Sequence, residues 1–171
     1  MHTQRIGGYT LIELLIAFTV ALMLTLFGIG GGRILASKTH NIVGLQAITT
    51  SLDRARSLAV IRGRHVGVCM LAPDQTCSGE WSGNVLAVFI DANKNRQHDL
   101  NEEIIYREPW PDQYVQLQWS NWREEPLISY KPDGAVTSNG TVSLKNSKGK
   151  KIASIVINKP GRARIDTTNE E

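Results

Sequence analysis

The chain has 171 residues, 42% hydrophobic and 20% charged, which is enough for one modest folded domain with a single core. A net charge of +3 and a pI near 9.0 set aside a polyelectrolyte and make the distribution of charge matter more than its sum. There is no nucleophile elbow, Gly-rich phosphate loop or metalloprotease helix, and His40, His65 and His98 stand in unrelated contexts. The chain therefore reads as a non-enzyme that needs no cofactor.

Residues 1–8 form a short basic leader ending in Gly7-Gly8, and Tyr9–Ile29 follows as a 21-residue apolar run in which Glu13 is the only charge. As a helix this run spans roughly 30 Å, one bilayer core. A secretory signal is shorter, lacks an acid and precedes its cleavage site; here the processing-like glycine comes first. Gly8-Tyr9-Thr10-Leu11-Ile12-Glu13 resembles the class III leader of type IV pilins and type II secretion pseudopilins. The resemblance implies cleavage after Gly8 by a prepilin peptidase and methylation of Tyr9, which takes the place the family usually gives to Phe. It also implies that Glu13 neutralises the N-terminal amine of a neighbouring subunit during filament assembly. Two charges that are costly in lipid become tolerable when paired. Arg5 stays cytoplasmic by the positive-inside rule, and the rest of the chain faces the periplasm.

Gly28, Gly30, Gly31 and Gly32 interrupt what should remain helix. Each costs a helix interior about 1 kcal/mol relative to alanine, so either the helix bends or melts here, or the glycines pack closely against neighbouring helices. From Arg33 to Arg62 the pattern turns amphipathic: Ile34, Leu35, Ile42, Leu45, Ile48, Leu52, Ala55 and Ala59 form a helical stripe. Gly63 is the predicted stop. Seven strands follow at 65–71, 85–90, 103–107, 114–119, 127–130, 141–144 and 151–157, separated by turns such as Pro132-Asp133-Gly134 and Asn139-Gly140. Trp119 is expected in the core and Trp122 at the surface.

Export makes Cys69 and Cys77, which flank a seven-residue gap, read as a small disulfide loop. Ala55-Arg56-Ser57 through Cys69, then Cys77, Trp81, Gly83, Phe89, Asp91-Ala92-Asn93-Lys94-Asn95, Asp99 and Glu102 resemble the GspH/FimT family of minor pilins and pseudopilins. The resemblance implies a helix packed on β-sheet structure and a place in a filament or its tip. Asp91, Asn93, Asn95, Asp99 and Glu102 also fall at calcium-loop spacing, with Gln97 giving a carbonyl. However, Arg96 stands where the sharp turn needs glycine, and the flanks read as strands. Of the two readings, a hard-cation loop and a hairpin loop held by side chain to backbone hydrogen bonds, the second is favoured, and no metal site is assigned.

The remaining signal is charge. Seven bases lie between Lys145 and Arg164, with no acid between Asp133 and Asp166. A hairpin at Ser147–Lys150 and a tail strand are expected to gather Lys148, Lys150, Lys151, Lys159, Arg162 and Arg164 on one edge, which would attract phosphate. Gly161-Arg162-Ala163-Arg164 resembles the Gly-Arg-x-Arg motif of FimT-type minor pilins, which implies DNA binding through Gly161, Arg162 and Arg164. Lys148, Lys150, Lys151 and Lys159 join on charge and proximity alone.

The expected fold is α+β and type IV pilin-like: a long N-terminal helix, half membrane and half amphipathic, packed on an antiparallel β-sheet domain. The boundaries are a leader at 1–8, an assembly helix at 9–32, an amphipathic helix at 33–64, a β-rich domain at 65–164 and a flexible tail at 165–171. The expected function is a minor pilin that is inserted once in the inner membrane, then built into a surface pilus with major and minor pilins. There it would bind the DNA backbone for uptake in natural transformation. The rival readings are a structural tip subunit and a GspH-like pseudopilin of type II secretion.

Overall fold

The computed structural model describes residues 10–110 and 115–166, with backbone alone over 26–41. The leader, the Gly8–Tyr9 junction and the last five residues lie outside the described residues. The chain divides into two units, Met1–Lys38 and Thr39–Glu171. One 52-residue helix, α1 (Leu11–Arg62), contributes to both and runs unbroken through Gly28–Gly32.

In the first unit α1 starts on a reciprocal cap. The Glu13 amide donates to Thr10 Oγ1 at 3.4 Å, and the Thr10 amide donates to Glu13 Oε2 at 3.3 Å. This is the Thr-x-x-Glu capping box, which satisfies two amides that the helix itself leaves unpaired. Among the described residues, no helix is long and apolar enough to cross a membrane.

In the second unit the expected stripe is buried at Ile48, Leu52, Ala55 and Ala59. Ile42 departs from it at 67% exposure, because its turn of α1 extends beyond the face that meets the sheets. The helix ends as predicted: Gly63 adopts φ +61°, and the Arg64 amide reaches back to the Ala59 carbonyl at 3.3 Å, a Schellman closure that only glycine enters without strain.

Among the described residues, eight strands form two antiparallel sheets. The first, in order β3-β2-β1-β5, uses β1 (Val66–Leu71), β2 (Val85–Ile90), β3 (Ile104–Pro109) and β5 (Ile128–Tyr130). The second, in order β4-β6-β7-β8, uses β4 (Val115–Asn121), β6 (Gly140–Asn146), β7 (Lys151–Ile157) and β8 (Ala163–Asp166). β8 is the tail strand expected, without bounds, after the hairpin, and it draws Ile165 and Asp166 out of the predicted tail. The main core lies between α1 and the inner faces of both sheets, with Val66, Val68, Met70, Leu144, Ile155 and Trp119 in it. Trp122 is 68% exposed under Arg123.

β1 is buried at every position, because its other face meets a second, smaller core of Cys69, Leu71, Ala87, Phe89 and Leu127. A disulfide from Cys69 to Cys77 pins the covering loop there. Its short closed loop suggests about 2–3 kcal/mol of stabilisation. Reduction, followed by near-ultraviolet circular dichroism on heating, should lower the melting temperature by roughly 10 °C without abolishing the fold, since the main core is untouched.

Candidate nucleic-acid interface

The turn between β7 and β8 is built from its own backbone. The Gly161 amide donates to the Asn158 carbonyl at 2.8 Å, and the Arg162 amide donates to Asn158 Oδ1 at 2.8 Å. Gly161 has φ +80° and is buried. It lies against the Gly134 carbonyl and the Tyr130 ring, and a Cβ there would collide with that carbonyl oxygen. Gly134, at φ +76°, closes the turn after β5. Arg56 on α1 joins the two turns, donating from Nε to the Gly134 carbonyl at 3.1 Å and from Nη2 to the Pro160 carbonyl at 3.4 Å. The Val136 amide donates to the Lys159 carbonyl at 3.1 Å. The turn that presents Arg162 is thus held from three directions.

Lys159, Arg162 and Arg164 are all exposed. Ala163 packs toward the main core, so alternation along β8 turns Arg164 outward. Among the described residues, none of the three pairs with a carboxylate; the ion pairs there are Arg62–Glu103, Arg96–Glu125, Arg123–Glu125 and Lys131–Asp133. Three unpaired cations on a fixed backbone can bind phosphate oxygens with little ordering cost.

The expectation that one edge gathers all the lysines is corrected by the register. β7 pairs Lys151 with Lys145 at one end and Ile157 with Ala163 at the other. Lys148, Lys150 and Lys151 therefore sit at the hairpin end, roughly 20 Å from the Arg162 turn at the usual strand rise. They form a separate basic tip.

The loop at 91–102 is held largely by its own hydrogen bonds. Glu102 accepts from the Ala92 amide at 2.7 Å and the Asp99 amide at 3.2 Å, while Asn93 and Asn95 both donate to Asp99. Arg96 reaches across to Glu125, and His98 stacks edge-on against Phe89. Among the described residues, no group of three or more His, Cys, Asp or Glu side chains is placed to hold a metal ion. The loop lays His98 against Phe89 of the second core. On its far side His65 lies in a cleft of about 340 Å³ with Arg64, Asp91, Lys94 and Pro132. Burial lowers the His65 pKa, outweighing the opposing pull of Asp91.

Sequence reasoning missed Arg56, Tyr130 and Gly134 as supports of the turn. The glycine in Pro132-Asp133-Gly134 marked a turn, but nothing local connected it to Gly161.

Two antiparallel sheets packed on the C-terminal half of a long N-terminal helix define a pilin-like fold. Residues 45–161 match the family described as type II transport protein GspH, and the chain belongs to that family. It is a minor pilin or pseudopilin, a structural subunit and not an enzyme. The type IV minor pilin FimU of Pseudomonas aeruginosa shares the fold with a TM-score of 0.51 and 16% identity, over 79% of this chain and 93% of that one. The minor pseudopilin EpsH from the type 2 secretion system of Vibrio cholerae shares it with a TM-score of 0.55 and 12% identity, over 77% and 99%. No curated protein matches the sequence.

Proposed function

We propose that this chain is a minor type IV pilin that binds the DNA phosphate backbone through Lys159, Arg162 and Arg164, with Gly161 setting the turn. The observation that carries the reading is the buried, left-handed Gly161 turn, which displays two exposed arginines that pair with no carboxylate among the described residues. The N-terminal part follows the leader: cleavage after Gly8 by a prepilin peptidase, a methylated Tyr9, and residues 9–32 as the inner-membrane and assembly helix. Glu13 pairs with a neighbouring pilin's amine, and the β-rich domain passes from periplasm to pilus. The exposed Leu11–Leu24 side chains support a helix awaiting lipid or neighbouring helices. Thr19 and Thr25 donate their hydroxyls to carbonyls of their own helix, as lipid requires.

The test is the full chain in neutral detergent, titrated against a labelled duplex at several salt concentrations. Arg162→Gln/Arg164→Gln should weaken binding roughly 150-fold, since each of the two charge-assisted contacts is worth about 1.5 kcal/mol. Absence of wild-type binding at low salt would instead favour the pseudopilin reading, to which the likeness to EpsH gives support.

A further inference from the structure

We infer that the phosphate-binding surface continues past the Arg162 turn into the cleft of Arg64, His65, Asp91, Lys94 and Pro132, making one track for several successive phosphodiesters. This rests on the nucleic-acid reading of Arg162 and Arg164. The link is the 131–135 turn, which borders both places. Its Pro132 lines the cleft, and its Gly134 touches Gly161. The three basic sites therefore come from distant parts of the chain, α1's end, the β2–β3 loop and the β7–β8 turn, yet meet at one end of the globular unit.

The chemistry of the cleft suits a phosphodiester. Arg64 and Lys94 are exposed on its rim, and among the described residues neither pairs with a carboxylate. Lys131, half-buried beside it, pairs with Asp133 at 3.4 Å. Since burial holds the His65 pKa down, the imidazole adds hydrogen-bonding atoms and not charge at neutral pH. Asp91 is 1% exposed; one oxygen accepts from the Arg96 amide at 3.3 Å and the other has no partner. That carboxylate repels a doubly charged inorganic phosphate more than a singly charged diester. Arg64 and Lys94 attract the dianion more in turn, so it is the continuity with the Arg162 turn that points to a polynucleotide backbone.

Counting released counterions tests this. Each phosphate neutralised contributes about 0.9 to the slope of log affinity against log salt on a duplex. The full chain in neutral detergent is titrated with labelled duplex across a salt series, beside four variants: Arg64→Gln/Lys94→Gln, Arg64→Lys/Lys94→Arg, Arg162→Gln/Arg164→Gln and Lys148→Gln/Lys150→Gln. All six positions are exposed, and near-ultraviolet circular dichroism checks each fold. Arg64→Gln/Lys94→Gln should flatten the slope by about two and weaken binding about tenfold or more at low salt. Lys148→Gln/Lys150→Gln, at the far end of β7, should leave both unchanged, and Arg64→Lys/Lys94→Arg should restore them. An unchanged slope in Arg64→Gln/Lys94→Gln, with binding lost in Arg162→Gln/Arg164→Gln, would overturn the track and leave the Arg162 site standing. Equal losses from Lys148→Gln/Lys150→Gln would also overturn it, since the attraction would then be diffuse. A wild-type chain that does not bind DNA would remove the underlying reading and the track together.

Discussion

Gly161→Ala is expected to destabilise the globular unit by about 3 kcal/mol, with a melting temperature lower by roughly 10 °C. Two costs combine. Alanine at φ +80° sits in left-handed space that its Cβ resists. That Cβ is also aimed at the Gly134 carbonyl oxygen, a backbone atom with no rotamer to move away. Relief would require parting the two turns, and Arg56 would then lose its bonds to Gly134 and Pro160. Thermal melting of the full chain, followed by tryptophan near-ultraviolet signal, reads the stability. The same variant should bind duplex at least tenfold more weakly although every cation remains. A melting temperature within 2 °C of wild type would refute the clash.

Glu13→Gln should abolish incorporation into filaments while leaving the helix start intact. Two roles converge on this side chain: it caps α1 through Thr10, and in the proposed assembly its charge meets a neighbour's amine. Glutamine serves a capping box nearly as well as glutamate but carries no charge. Thr10→Ala does the reverse, since it removes the hydroxyl acceptor, costs roughly 1 kcal/mol of helix stability and spares the charge. Sheared surface filaments probed for the subunit should therefore lack Glu13→Gln and retain most Thr10→Ala. If both variants assemble equally, the charge is not the assembly determinant.

Much of the fold was legible because its strongest signals are local. The apolar runs at Val66–Leu71 and Val85–Ile90 needed no partner to be recognised as strands, and Gly63 marked the end of α1 by its own conformational freedom. β8 was legible only as a tail strand without bounds, because Ala163-Arg164-Ile165-Asp166 has little apolar alternation; its pairing with Ser154–Ile157 sets its limits. The candidate site was half legible. Pro160-Gly161 declared a turn and Arg162 and Arg164 declared charge, but Arg56 lies 104 residues from Pro160 and carries no mark of that contact. Charge counted along the chain also could not tell which end of β7 a lysine occupies. The Thr10-x-x-Glu13 signature was present in plain view and was read only for its charge.

The two sheets differ in how freely their sequences can drift. Every side chain of β1 faces a core on one side or the other, so mutation there finds no neutral position, and even a methyl at Gly67 would strike the Phe89 ring. β4 alternates buried and exposed residues, and Gln116, Gln118 and Ser120 can vary without disturbing what lies beneath. Lineages descended from such a chain would keep the first sheet as an inherited chassis. New partners would be acquired on the open face of the second, beside the arginines that already stand at its edge.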